Sequence, residues 1–450
     1  MVSSRTAVKI AVVGGGKMGL PLACMFARRG ACVTVCDINP NIVASISQGI
    51  DPHNEPEQGR LVRDAVANGR LRATTDTSAA VVESDAVIIL VAAHLSDDSD
   101  IDWTSLSIAS EAVARGLRRG TLVSYETTLP VGGCRGTLVP ILERSGLQAG
   151  SDFPVVFSPE RVKSRLVFER LSETPKVVGG IDAASAAAGQ AFYRRWLGAP
   201  VINVGSLEAA EFVKLAGMVY RDVNIALVNE LATFAEVSGL DIWPLLEAAN
   251  TDGETALLRP GIGVGGHCTP VYPHFLMKGA ARLGLQQELV TAGREINARQ
   301  PVRQAQRLAI ALGGLARSRV HILGLAFRPQ VREDAYSPAY ALRDALTGAG
   351  AQVTLEDPLF SEDELRVRGF AHACIGKDPI DAVVLNTAHP EFASPSFPAW
   401  RKAGVKAVLD GRAAWQREAV ETAGLLYVGV GIARDPTCGS IGANLSALLP

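Results

Sequence analysis

A short apolar run at residues 9–13 is followed at once by Gly14-Gly-Gly-Lys-Met-Gly19, and then by apolar positions at helical spacing through Leu22, Ala23, Phe26 and Ala27. That order predicts strand, glycine turn, helix. Residues 31–36 form the next predicted strand, which ends at Asp37, and residues 86–91, 121–124 and 154–157 read as further buried strands with helical stretches between several of them. Strands that alternate with helices predict a parallel sheet covered on both faces.

From Ser206 to Gly239 the chain carries no proline, and Phe212, Leu215, Val219, Val223, Ala226, Leu227, Leu231 and Phe234 keep one stripe apolar. The spacing predicts one long helix. At about 1.5 Å per residue such a helix outspans a typical domain, so it is expected to join two lobes and to offer a subunit contact. A second helical stretch ends near Leu312, after which apolar runs at residues 319–324, 351–355, 382–385 and 407–409 restart the alternation. Gly324-Leu-Ala-Phe-Arg328 supplies a single glycine, so no second dinucleotide site is expected. The fold class is α/β: two Rossmann-like doubly wound domains joined by a long central helix. The expected divisions are residues 1–204, 205–312 and 313–450.

Composition narrows the partners. A chain of 450 residues with 48% hydrophobic and 20% charged content is globular and long enough for two or three domains. With 44 basic against 46 acidic residues, the formal charge of -2 gives no broad attraction to nucleic acid or anionic lipid. No apolar run reaches the roughly 20 residues needed to cross a bilayer, and residues 1–9 lack a secretory pattern. No membrane partner and a cytoplasmic location are therefore expected. Cysteines at 24, 32, 36, 134, 268, 374 and 438 lack the close pairs of a zinc site, so reduced thiols and no metal are expected. Cys24, Cys32, Cys36 and Cys374 stand in apolar surroundings and read as small buried hydrophobes.

In the first glycine turn, Gly14 permits the tight turn, Gly16 lets backbone approach a pyrophosphate, and Gly19 lets the helix pack on the strand. Lys17 and Met18 lie in the same loop and are assigned to the same site. Asp37, 18 residues after Gly19, ends the next strand. An acid there accepts from a ribose diol and repels a ribose phosphate, which favours NAD over NADP. A second glycine-rich segment, Gly261-Ile-Gly-Val-Gly-Gly-His-Cys268, brings backbone close to something and delivers a thiol at its end. Composition alone favours a loop with a buried cysteine there; a thiolate nucleophile is the chemical reading.

These residues, together with Tyr125-Glu-Thr-Thr-Leu-Pro-Val-Gly132, Ser158-Pro-Glu-Arg161, the Lys214 helix running to Asn224-Ile-Ala-Leu-Val-Asn-Glu230, and Gly324-Leu-Ala-Phe, resemble the nucleotide-sugar 6-dehydrogenases. That family includes the UDP-glucose and UDP-N-acetylhexosamine dehydrogenases. The resemblance runs through nearly the whole chain in one order. It implies an N-terminal NAD domain, a dimer built on the central helix, and a C-terminal domain that grips the nucleotide diphosphate of a nucleotide-sugar substrate. It also implies a four-electron oxidation of the sugar's primary alcohol through a thiohemiacetal and a thioester on Cys268. By the same resemblance Lys214 stabilises the developing oxyanion, Glu160 assists proton transfer or directs water at the thioester, and Thr127 contacts the nicotinamide region or a bridging water. Without it, a helix lysine reads as solvated and Glu160 as an acid at a helix start. Arg259 and Arg328 are assigned to the sugar or diphosphate, since a planar guanidinium matches phosphate, and Arg161, Gly265 and His267 to the substrate site.

Two positions depart from the family pattern: Met218 stands where asparagine is usual and Tyr272 where aspartate is usual. The Gly-His-Cys sequence is nearer the N-acetylhexosamine branch than the UDP-glucose branch, and UDP-glucose, or another NDP-glucose, is the alternative substrate. Met218 and Tyr272 also motivate a reading of another class, a catalytically silent NAD-binding homologue. A two-electron dehydrogenase of the hydroxyacid type is the third.

Overall fold

The computed structural model of the chain describes residues 7–53, 55–95, 101–162 and 165–433. Residues 1–6 and Cys438 lie outside them. Contacts divide the chain into two compact units, one running to Gly217 and taking in His274–Leu285, the other made of Met218–Pro273 and the chain from Gln286 onward.

The first unit holds β1 (Lys9–Val13), β2 (Cys32–Cys36), β3 (Leu71–Thr74), β4 (Ala86–Ile89), the short antiparallel pair β5 (His94–Leu95) and β6 (Ile101–Asp102), β7 (Leu122–Tyr125), β8 (Val155–Phe157), β9 (Lys176–Gly180) and β10 (Val201–Ser206). Its main sheet runs β10-β9-β8-β7-β4-β1-β2-β3. From β3 to β8 this is the strand order of a doubly wound dinucleotide fold, whose binding crevice opens at the carboxyl ends of β1 and β4. Consecutive residues Ala11 and Val12 are fully buried, as are Ile88 and Ile89, so both faces of the central strands are covered.

The second unit carries β11 (Arg319–Leu323), β12 (Gln352–Glu356), β13 (Ala382–Leu385), β14 (Ala407–Asp410) and β15 (Leu426–Gly429), all parallel in the order β12-β11-β13-β14-β15. This is the other common doubly wound order. The predicted long helix is continuous over Leu207–Ser238, and the second stretch is Glu288–Leu312. Each stops where a glycine enters the left-handed region, Gly239 at φ +78° and Gly313 at φ +73°.

One expectation needs correcting. The first sheet is not wholly parallel, because β9 pairs antiparallel with β8 while β10 runs parallel to β9. The chain between β8 and β9 doubles back instead of crossing over, so both new strands run against the rest. Strands β3, β9, β10 and β15 were not legible as apolar runs. β3, β10 and β15 end their sheets, and β9 carries a lysine and two glycines. Among the described residues, no helix is long and apolar enough to cross a membrane, and no group of three or more His, Cys, Asp or Glu side chains is arranged to hold a metal ion.

Candidate active site

At the carboxyl end of β1 the three glycines play three separate parts. Gly14 has φ +104°, its N–H donates to Cys36 O at 2.8 Å, and a Cβ there would stand 2.9 Å from Leu90 O. A Cβ on Gly19 would lie 1.9 Å from Gly14 O, so the helix Gly19–Arg28 packs on the turn only because that atom is missing. Gly16 faces nothing within 4 Å and leaves backbone open to a ligand. Lys17 and Met18 are half-buried beside it, and the helix start has no side-chain cap and no acid in its first turn. Uncapped amides and a positive dipole end suit a pyrophosphate. The Asp37 carboxylate accepts from Gly15 N and Asn39 N, each at 2.8 Å, and it stays half-exposed, as a ribose diol requires. His53, which the sequence did not single out, closes the turn from below with Nε2 2.7 Å from Gly15 O. The turn therefore fits a dinucleotide.

Thr127, Glu160 and Lys214 all belong to the first unit, and the last two touch. Lys214 is only 9% exposed, and its Nζ donates to the carbonyl oxygen of Glu160, so the solvated-lysine reading fails. The Glu160 carboxylate turns back on its own backbone, with Oε1 accepting from Arg161 N at 2.6 Å and Val162 N at 2.8 Å. Its other oxygen lies 3.4 Å from Lys176 Nζ. Lys176, 6% exposed, also donates to Glu126, and Glu126 accepts from Tyr193 Oη at 2.6 Å. Ser124 Oγ closes the chain 2.7 Å from Tyr193 Oη.

The reversed strand explains this cluster. Val156 pairs with Gly180 and Phe157 with Gly179, and the same register continued past the strand ends brings residue 160 opposite residue 176. Burial pushes the Glu160 carboxyl up, but Lys176, the Val162 N–H and Lys214 outweigh it and hold the group below its ordinary value. Burial also disfavours the Lys176 ammonium, yet Glu126 and Glu160 overcome this and raise it. Glu126 is pushed up by burial in spite of Lys176. Thr127 is buried next to Glu126. Arg161 is half-buried and donates to Pro175 O. On the long helix Glu211 accepts from Gly132 N at 2.6 Å and Cys134 N at 2.8 Å, tying down the end of the Tyr125–Gly132 segment; burial pushes this acid up to about 7.

The second unit holds the cysteine segment, and its glycines approach the chain that follows β11. A Cβ on Gly265 would stand 2.6 Å from Phe327 Cβ, one on Gly266 3.0 Å from the Phe327 ring, and one on Gly263 3.1 Å from Pro338. Gly266, at φ +93°, donates to Ala335 O at 2.7 Å. His267 Nε2 stands 3.1 Å from Glu333 Oε1. The segment is also held from the long helix: Asn224 accepts from Leu258 N at 2.8 Å and Asn229 from Gly261 N at 3.1 Å, with Asn229 braced by Asn297 at 3.0 Å. Cys268 is partly exposed, and its carbonyl accepts from Tyr272 N at 2.9 Å at the start of the helix Tyr272–Arg282. Arg328 places its guanidinium 5.7 Å over the Phe327 ring. Arg259 is a surface residue, its side chain 75% exposed and 3.9 Å from Glu247. Met218 and Tyr272 are half-buried.

Fold and glycine turn thus define a dinucleotide-binding α/β protein with an accessible thiol. Models of the UDP-glucose/GDP-mannose dehydrogenase family match in chain order, the NAD binding domain over residues 8–197, the central domain over 208–299 and the UDP binding domain over 321–417, and the chain belongs to that family. The UDP-N-acetyl-D-mannosamine dehydrogenase of Pyrococcus horikoshii is 33% identical over 94% of this chain and 99% of its own. The solved structure of the UDP-D-ManNAc dehydrogenase from that organism superposes with a TM-score of 0.87 at 32% identity, covering 94% of this chain and 99% of that one. A UDP-glucose dehydrogenase from Pyrobaculum islandicum gives a TM-score of 0.85 at 27% identity, over 96% and 100% of the two chains. The protein is an NAD-dependent oxidoreductase that acts on a nucleotide sugar.

Proposed function

We propose that the protein oxidises the C6 primary alcohol of a UDP-N-acetylhexosamine to the uronic acid in two two-electron steps, with Cys268 holding the sugar between them. The observation that carries this reading is a partly exposed thiol at the end of a glycine segment that Phe327, Ala335 and Pro338 hold at backbone level. A nucleophile fixed in this way loses little freedom when it reacts. Similarity to a UDP-N-acetyl-D-mannosamine dehydrogenase and the Gly-His-Cys sequence support the N-acetylhexosamine.

Gly14, Gly16, Lys17, Met18, Gly19 and Asp37 would hold the cofactor, and Thr127 would contact its nicotinamide region or a bridging water. Bound NAD supplies the hydride acceptor at each of the two oxidation steps, so two equivalents are consumed per sugar. Lys214 places an ammonium where the alcohol oxygen becomes negative. Cys268 Sγ adds to the aldehyde carbon, and the thiol proton passes to the aldehyde oxygen, giving a thiohemiacetal. Loss of a hydride from that carbon and of the hydroxyl proton leaves a thioester. Glu160, kept as an anion, takes a proton from the attacking water and passes it to the sulfur as the carbon–sulfur bond breaks, so the thiol is restored; the acid formed gives its proton to solvent and leaves as the uronate. Arg161, Arg259, Gly265, His267 and Arg328 serve the sugar and its diphosphate.

The work divides along the chain, with residues 1–204 for NAD, 205–312 for the cysteine segment and subunit contact, and 313–450 for the nucleotide. Phe212, Tyr220, Leu227, Leu231, Phe234 and Val237 leave an exposed apolar stripe on the long helix, with Phe234 at 67% exposure, which supports a homodimer built on that face. Six free cysteines among the described residues suit the reducing cytoplasm.

The test is stoichiometry. With UDP-N-acetylhexosamines, two NADH per uronate are expected, and Cys268→Ser should stop short of the acid. No absorbance change with any UDP-sugar would leave a silent NAD-binding homologue, and full turnover by Cys268→Ser a two-electron enzyme.

A further inference from the structure

Lys176 has no part in the reaction as derived so far, yet it is the most enclosed cation touching it. Its ammonium lies between two carboxylates on different segments, Glu126 at the end of β7 and Glu160 after β8, and both ion pairs are almost wholly out of solvent. A charge taken so far from water persists only when paired. Glu126 has a donor at each oxygen, Tyr193 Oη on Oε1 and Lys176 Nζ on Oε2, and these favour its anion against the burial that pushes the group up. Two carboxylates therefore share one ammonium, while Lys214 addresses the Glu160 carbonyl. Among the described residues, the charged and titratable groups around Glu160 include Lys176 on β9, Lys214 on the long helix, Glu126 on the facing strand end, its neighbour Arg161, and Tyr193 through Glu126.

We propose that Lys176 is a positioning residue for the thioester-hydrolysing carboxylate: shared with Glu126, it sets how firmly Glu160 stays ionised and where its second oxygen points. The sharing makes Glu126 a counterweight. Removing Lys176 leaves two neighbouring buried carboxylates, which favours a proton on the pair. Removing the Glu126 charge instead gives Lys176 wholly to Glu160 and makes that group a stronger acid. The two changes push Glu160 in opposite directions, which no general loosening of the site would do. Tyr193 bears on Glu160 through Glu126, whose Oε1 it bonds, and through Lys176, whose Nζ lies 5.3 Å from its ring centroid.

This rests on Glu160 acting as proposed above, so the experiment separates the two ideas. The pH dependence of kcat is measured with NAD and a UDP-N-acetylhexosamine, and the fraction of enzyme trapped as a Cys268 thioester is read by mass spectrometry after acid quench. Glu160→Gln should abolish the acid limb and accumulate acyl-enzyme; an unaltered limb in that variant would remove both the role of Glu160 and this proposal. Lys176→Met should move the limb to higher pH by about one to three units, the usual effect of an adjacent opposite charge. Lys176→Arg should bring it back, and adding Glu126→Gln to Lys176→Met should return it part of the way. A limb that responds to Glu160→Gln yet stays in place in Lys176→Met would overturn the proposal and spare the role of Glu160. Should Lys176→Met fail to fold, Glu126→Gln decides alone. Acid-side activity rising as a fraction of the maximum supports the proposal, and activity unchanged or falling overturns it.

Discussion

The two halves of the chain repeat one backbone device and put it to different ends. Val13 pairs with Cys36 and Leu323 with Glu356; Gly14 N donates to Cys36 O, and Gly324 N to Glu356 O, each at 2.8 Å. Both glycines are left-handed, at φ +104° and +94°. An aspartate follows each second strand and takes the N–H of the residue after the glycine, Gly15 on Asp37 at 2.8 Å and Leu325 on Asp357 at 2.7 Å. Each also takes the N–H two residues on, from Asn39 and Leu359 at 2.8 Å. Beyond this the halves part. Asp37 is half-exposed beside an open Gly16, whereas Asp357 is 6% exposed, accepts from Ala326 N at 2.9 Å and lies 3.2 Å from His389 Nε2. The frame is common to both, and the ligand follows from what is left uncovered. The first turn keeps its acid and its amides for a cofactor. The second spends them on itself and presents Phe327, Ala335 and Pro338 to the cysteine segment.

Breaking the frame should cost most. Gly19→Ala puts a Cβ 1.9 Å from Gly14 O, and Gly324→Ala puts one 2.5 Å from Thr387 Cβ at a positive φ. Each is expected to lose about 3 kcal/mol or more of stability, read by denaturant unfolding.

Exchanging the acids should separate the halves. Asp37→Asn is expected to weaken NAD binding by roughly 10- to 100-fold, the loss of a charged hydrogen bond, with a smaller change in stability. Asp357→Asn should do the reverse, lowering the unfolding midpoint and leaving the NAD titration where it was.

Gly16→Ala meets no atom within 4 Å, so its stability should stay within about 0.5 kcal/mol of wild type while NAD affinity falls about tenfold. Ala326→Gly should gain no NAD binding.

Acid gives the smallest effect. Burial pushes the Asp357 carboxyl up, but His389 and the Ala326 and Leu359 amides hold it below its ordinary value. A lowered native value means stability that is complete above the unfolded value of about 3.9 and is lost as pH falls through the native one. Unfolding measured down that range should fall more steeply for wild type than for Asp357→Asn.

Central strands such as β1 and β13 were legible because burial on both faces makes them continuous apolar runs, and the long helix because its stripe is unbroken. Of the edge strands of the two main sheets, β3, β10 and β15 escaped, since one flank meets solvent and their residues are mixed, whereas β12 was legible as the run at residues 351–355. The three glycines and Asp37 could be assigned their parts from spacing alone, all of it within one strand-turn-helix-strand unit. Phe327 as the body pressed by Gly265 and Gly266 could not, because about sixty residues separate them and only the fold brings them together. Lys176 heads a strand of valines and glycines, where a lysine reads as a solvated end, and nothing local announces two acids waiting for it. Cys24 and Cys36 are buried as expected, and burial pushes both thiols up to about 12, whereas Cys32 and Cys374 are only partly covered.

The backward run of β9 has a chemical result. In a sheet whose strands all point one way, the first residue of a five-residue strand sits roughly 13 Å from the rim where its neighbours end. Reversing the direction of travel brings that opening residue to the working rim, so the ammonium there is delivered by chain polarity and needs no loop to carry it.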